Sequence, residues 1–344
     1  MRRSCLLCCA WLLLLLPVGA QTKAVTAETA RLLFQVAPLT TNGDVAAQVR
    51  QQMKSFTAPL AHLRAFVAGT DRLVAARTAI EAELKQRKAA PALTIVAVGA
   101  LPRGVLVALE AVTLANKSVN PHGLAFISGQ AGSADTPVAQ MLPLAEKAMR
   151  DLNAVHQAAG VVANDVLRVT CLATSLQDVN AVEKLVRATF PQAATSIVQL
   201  QRAPARGVIE CETVARLRAA VSEPLKFAFA ESLPKSPNFS HVALVGAKQV
   251  VFSGAHVAGS LEDAEARKTY EELTQTLASA GASIKQVAMS SIFPVSQAAA
   301  DLVRKTRFNF YDPARPPAST MMIFEGIAAN AAFAVDVIAV KVDK

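Results

Sequence analysis

One pattern occurs three times along this chain. Residues 91–112 read PALTIVAVGALPRGVLVALEAV, residues 193–214 read AATSIVQLQRAPARGVIECETV, and residues 317–338 read PASTMMIFEGIAANAAFAVDVI. The three align without a gap as a small-residue start, an apolar strand, a turn and an alternating strand. Each carries an acid near its end: Glu110, Glu212 or Asp336. Similarity of this kind has to be settled before any fold is assigned, because it makes the repeat the unit of folding.

The segments between these copies repeat as well. AAGVVANDV at 158–166 matches SAGASIKQV at 279–287. In both, a glycine suited to a left-handed helix C-cap precedes a strand opened by valine. The preceding helices carry apolar faces, Met141, Ala145, Ala148, Leu152 and Val155 in one and Tyr270, Leu273 and Leu277 in the other. A second helix follows, which in the middle copy Ser175 or Asp178 can cap and which ends before Pro191. The units expected are 24–115, 116–220 and 221–343. The first is abbreviated, with Pro59 interrupting its first helix. The third shows an extra opening strand, Val242–Val245, turning through Ala247-Lys248-Gln249 into Val250–Ser253. Two amphipathic helices cover only one face of such a sheet, so the other face has to be buried by the other two units.

The N-terminus, MRRSCLLCCAWLLLLLPVGAQT, has a basic start, an apolar run of about a dozen residues and a small-residue cleavage site at Val18-Gly19-Ala20. This reads as a secretory signal peptide over residues 1–20, since the run is shorter than the roughly 20 residues a bilayer requires; an uncleaved anchor is the alternative. Cleavage would take the formal charge from +9 to 9 − 2 = +7. No later run is long enough to span a membrane, so the mature chain is expected to be soluble, beyond the cytoplasmic membrane, secreted or periplasmic. Three of the five cysteines leave with the signal. Cys171 and Cys211 remain, either as one bridge in an oxidising compartment or as two buried thiols.

Several chemistries find no support. The basic excess is modest and spread out, with no basic-aromatic signature, so nucleic acid is not an expected partner. The five histidines have no metal-ligand spacing, there is no CxxC, and no Walker, dinucleotide or G-x-S-x-G motif occurs. No metal and no cofactor are called for. His256, just past Ser253-Gly254, is either a cleft residue or an ordinary satisfied histidine.

The stretches FISGQAG, AAGVVANDVLRVTCLATSLQDVNAVEKLVRATFP and APARGVIECETVA resemble the RidA/YjgF family of imine/enamine deaminases, often labelled endoribonuclease L-PSP. The resemblance is specific in the middle unit, clear in the third and faint in the first. It implies an α+β fold of three chorismate-mutase-like units, each a mixed sheet with two helices on one face, closed into an intramolecular pseudo-trimer that is monomeric as a fused chain. It also implies small-molecule clefts between units. Ser128, Gly129 and Gln130, and Ser253 and Gly254, would line two of them, where glycine lets backbone approach a ligand; the first unit has Val36-Ala37 there. The other reading is that these are only strand-end turns.

Family deaminases hold the substrate carboxylate with an arginine, whose planar fork makes two charge-assisted hydrogen bonds. Its positions here are Leu93, Thr195 and Ser319, so the clamp is absent from every copy. Arg206 and Arg315 are the nearest substitute cations. The family's water-activating glutamate falls at Ala108, Glu210 and Ala334, and only Glu210 keeps the carboxylate, as a general base or as a surface acid. Strand alternation puts Glu210 and Glu212 on one face; the recurrence of an acid at the Glu212 position suggests a structural role. Two functions follow: a small-molecule binder with weak imine/enamine hydrolase activity, for which ordinary imino-acid deamination is doubtful, or a non-catalytic scaffold or partner-binding protein. Endoribonuclease activity is a third, carried only by the family label.

Overall fold

The computed structural model describes residues 24–341. The expected signal peptide lies outside the described residues. In chain order the elements are β1 (Val25–Glu28), β2 (Leu32–Val36), α1 (Val45–Met53), β3 (Leu60–Ala68), α2 (Leu73–Gln86), β4 (Ala92–Val98), β5 (Val107–Leu114), β6 (Leu124–Ala134), α3 (Leu142–Ala158), β7 (Val166–Ala173), α4 (Val179–Thr189), β8 (Ala194–Gln199), β9 (Gly207–Arg216), β10 (Leu225–Ala228), β11 (Val242–Val245), β12 (Gln249–Phe252), β13 (His256–Ala258), α5 (Asp263–Ser279), β14 (Val287–Pro294), α6 (Gln297–Arg307), β15 (Ala318–Met321) and β16 (Phe333–Lys341).

Three mixed sheets share one strand order: β2-β5-β3-β4, β6-β9-β7-β8 and β12-β16-β14-β15. In each, the last two strands are parallel and a helix crosses between them, namely α2, α4 or α6. The repeat read in the sequence is thus a repeat of topology. Gly160 and Gly281 take left-handed backbone, at φ +67° and +78°, where their helices end. The abbreviated first helix stops at Met53, before Pro59, and the chain passes at once into β3.

The extra opening strand departs from the sequence reading. Val242–Val245 does not pair with Val250–Phe252 but crosses to the neighbouring sheet and adds antiparallel to β6, with β10 beyond it. Likewise β1 adds to β12 of the third sheet, although β2 belongs to the first. The open edge of β2 is covered by the segment entering β6: Ala115 N donates to Arg31 O, Val119 N to Ala30 O, and the buried Asn120 amide to Leu32 O. Each sheet thus has one edge covered by a segment from outside its own repeat, which leaves less edge free to pair with another chain.

One face of each sheet packs on its helices. Ile209, Cys211 and Ala215 lie with Ala145, Met149 and Leu152 of α3, while Val208 and Val214 of the same strand face the other sheets, as the alternation requires. Those inner faces meet in two apolar clusters. One contains Phe34, Phe126 and Phe252; the other contains Phe66, Leu172 and Phe293. Both clusters draw residues from all three sheets. Asp178 stands at the start of α4 but does not cap it; its carboxylate accepts from Met141 N and Leu142 N, at 2.8 Å each, and so caps α3.

Candidate functional site

Between the two apolar clusters lies a buried ionic centre. In register, Arg64 stands opposite Glu110, Thr170 opposite Glu212, and Ser291 opposite Asp336. The three recurring acids thus converge from the three sheets. Arg64 Nη1 is 3.2 Å from Glu212 Oε1 and 3.8 Å from Glu110 Oε2, and its Nη2 is 3.5 Å from Asp336 Oδ1 and donates to Ser291 Oγ at 2.8 Å. Arg168 reaches Glu110 and Glu212 at 3.6 and 3.8 Å. Thr170 Oγ1 donates to Glu110 and Thr94 Oγ1 to Asp336. Burial alone would lower the pKa of Arg64, but Asp336, Glu212 and Glu110 outweigh it and hold the guanidinium above its ordinary value. His62, 3.9 Å from Asp336, is pushed well below the usual imidazole range by burial and then by Arg64 and Arg168, so it is neutral. A cavity of about 10 Å³ at this centre, bordered by Arg64, Thr170, Glu212 and Ser291, is the size of a single water. The structural role expected of Glu212 is this one. Arg64 and Arg168 escaped the sequence reading because they sit on different strands at non-equivalent positions, and only strand register shows them facing the repeated acids.

The expected cleft residues fall at three seams. At the seam between β6 and β15 the sequence reading comes together. Ser128 is buried, its Oγ donating to Ser240 O at 2.6 Å and accepting from Ser319 N at 2.8 Å. Gly129 N donates to Thr320 Oγ1 at 3.3 Å. The Glu210 side chain lies directly on Gly129, where any Cβ would collide with its carboxylate. Gln130 is buried and its amide donates to Ser128 O, bracing the irregularity between Ile127 and Gln130.

Glu210 has no hydrogen bond or ion pair among the described residues. Its strand neighbours in register are Leu172 and Ala131. Its equivalents Ala108 and Ala334 are buried in the apolar cluster, so the carboxylate replaces a methyl group on an oily inner face. The residue is half-buried; burial, then Glu212, push its pKa up to about 8, against a lowering pull from Arg206. At neutral pH Glu210 is mainly the acid. Arg206 is exposed near it, while Arg315 points elsewhere, donating to Leu225 O and stacking on Phe227.

The other seams are less polar. Ser253 Oγ accepts from Val337 N, so its hydroxyl is committed within its own sheet. Gly254 is buried, and the next residue, Ala255, donates to Leu93 O of the first sheet. His256 is buried with Nε2 unpartnered, and burial takes its pKa down to about 4. Thr195 is half-buried on β8, which packs near β2, and its hydroxyl donates to Ala193 O. Cys171 and Cys211 face each other across β7 and β9 and form a disulfide, which settles the open choice between bridge and thiols.

Residues 108–217 match the endoribonuclease L-PSP family. The L-PSP stretch runs from the start of β5 through β9 and holds Ser128, Gly129, Gln130, Glu210 and Glu212, from the motifs that carry the resemblance, as well as Thr195, where the family arginine is missing. Among solved structures, the L-PSP-like chains are each about a third the length of this one. The Rid-family protein YyfB from Yersinia pestis is 19% identical over 34% of this chain and 99% of its own, with a TM-score of 0.32. A putative endoribonuclease from Thermotoga maritima is 18% identical over 36% of this chain and all of its own, at 0.26. The YjgF gene product of E. coli is 21% identical over 26% of this chain and 84% of its own, at 0.23. No curated protein matches the chain.

Proposed function

We propose that this protein is a secreted or periplasmic small-molecule binder built from three tandem L-PSP-like units, 24–115, 116–220 and 221–343, closed on itself as a pseudo-trimer. Its working cleft is the seam of Ser128, Gly129, Glu210 and Ser319. The observation that carries this reading is Glu210, a carboxyl without a partner among the described residues, lying on a glycine where the two equivalent positions are alanines. In its acid form it can donate to a ligand carbonyl or imine nitrogen; as carboxylate it can take a proton from water. Weak imine or enamine hydrolysis is within reach of such a group. Ordinary imino-acid deamination is not expected, since Leu93, Thr195 and Ser319 supply no clamp. The disulfide supports an oxidising compartment.

The test is a thermal-shift screen of the protein with imino acids, keto acids and neutral carbonyls, followed by ammonia release. A shift by neutral carbonyls that Glu210→Ala removes supports the cleft; robust turnover of an imino acid overturns the reading of the missing clamp. A non-catalytic scaffold is the second reading. It is favoured by the seam of Ser253, Leu93 and Ala334, where the one hydroxyl is tied into its own sheet, and it predicts silence across the panel.

A further inference from the structure

The first unit carries a groove of about 650 Å³ between its two helices. Ala47, Arg50, Gln51 and Lys54 line it from α1 and its C-terminal cap, and Glu83, Gln86 and Arg87 line it from the end of α2. The first four stand at i, i+3, i+4 and i+7, which is one face of a helix. The volume lies within the range of small-molecule sites, roughly 300–1,000 Å³. The groove shares no residue with the Glu210 cleft, which belongs to the second and third units.

Charge in the groove is one-sided. The α1 sequence, VAAQVRQQM, contains no acid, and Arg50, Lys54 and Glu83 form no ion pair among the described residues. Arg87 reaches from the end of α2 to the end of α1, where its Nη1 donates to Phe56 O and its Nη2 to Met53 O, at 2.7 Å each. Those bonds offset the negative end of α1 and fix the guanidinium at the groove wall. They leave three of its five N–H groups without an acceptor among the described residues. Arg50 and Lys54 donate to no carbonyl among the described residues, so capping does not account for them. The matching helices of the third unit are tied by an ion pair, Lys305 to Asp263 at 2.7 Å, and in the second unit Lys147 is taken up by Asp151 of its own helix. Between α1 and α2 there is no such pair among the described residues.

We infer that this groove binds a small phosphorylated, hydroxyl-rich molecule of the class of a sugar phosphate. Three cations against one acid give 3 − 1 = +2 in the lining, which matches the charge of about −1.5 to −2 on a phosphomonoester. A guanidinium fork pairs with two phosphate oxygens at once. Gln51, Gln86 and Glu83 supply donors and acceptors for hydroxyl groups. The lining has no aromatic ring, and Ala47 is its one apolar residue, so a nucleobase or an acyl chain would find nothing to pack on. This site does not depend on the function proposed for the Glu210 cleft.

The test is isothermal titration of the protein with glucose 6-phosphate, glucose and inorganic phosphate at matched ionic strength. Glucose 6-phosphate should bind saturably and more tightly than inorganic phosphate, glucose should not bind, and added sodium chloride should weaken the binding. Arg50→Glu and Lys54→Glu should each weaken it about tenfold or more, the scale of one charge-assisted hydrogen bond. Both side chains are exposed, so neither variant should lower Tm, which keeps loss of binding apart from loss of folding. Absence of binding, binding unchanged in both variants, or inorganic phosphate binding as tightly as the sugar ester would overturn the inference. Displacement of glucose 6-phosphate by polyglutamate at equal charge concentration would overturn it too, and would assign the groove to an acidic peptide.

Discussion

Arg64 and Glu212 stand 148 residues apart in the chain and 3.2 Å apart at Nη1 and Oε1, buried at the meeting point of the three sheets. A bond of that reach ties the first sheet to the second, and the Arg64 contact with Asp336 ties both to the third.

Replacing Arg64 by Met should therefore be among the most damaging single changes. It would leave Glu212, Glu110 and Asp336 with only Arg168 for three carboxylates, at a cost of about 3–5 kcal/mol. Asp336→Asn should cost less, because it removes one charge from a centre in which acids outnumber guanidiniums. Urea denaturation of both variants checks the order, and a milder effect for Arg64→Met than for Asp336→Asn would contradict it.

Glu210 sets a pH dependence of stability. Its folded pKa of about 8 lies above the ordinary carboxylate value near 4.3, so between the two the folded chain holds a proton that the unfolded chain has released. The unfolded state binds fewer protons in that window, so stability falls as pH rises from about 4.5 to 8 and levels off above. Glu210→Gln should flatten this slope and raise Tm at pH 9. A slope unchanged in the variant would place the titrating group elsewhere.

Ser128→Ala should loosen the seam between the second and third sheets. It strands the Ser319 amide and the Ser240 carbonyl, at a cost of about 1–3 kcal/mol for the buried groups left unmade. Hydrogen exchange should quicken at Ser319 in this variant. Ser253→Ala should instead act at Val337.

The Cys171–Cys211 bridge closes a loop with a sequence separation of 40, for which chain entropy gives a stabilisation of about 4 kcal/mol. Both cysteines are fully buried, so reduction by dithiothreitol should proceed only as fast as the protein opens. Denaturant unfolding of the double alanine variant measures the first, and a reduction rate that does not rise with sub-denaturing urea would contradict the second.

Much of this was legible in the residues. The three aligned segments gave the recurring order of strands along the chain, because each repeats the same alternation of apolar faces, and the glycines at 160 and 281 gave the helix ends. Ser128, Gly129, Glu210 and Ser319 were singled out through the family resemblance, and the fold brings them to one seam; that the seam is a ligand cleft is the proposal. The destination of Val242–Val245 was not readable, since a strand with a short link reads as a hairpin whichever sheet accepts it. Nor was the role of Arg64, which depends on register between strands far apart in the chain.

Two sheets receive an edge strand and the third a loop segment from elsewhere in the chain, and the first described strand, β1, lands on the last sheet. A chain fastened in this way has a fixed repeat number. Adding a fourth copy or deleting one would leave some edge with no donor and strand a carboxylate or a guanidinium at the middle. Gain or loss of a repeat should therefore be barred to this molecule, leaving change at the individual seams as the path still open.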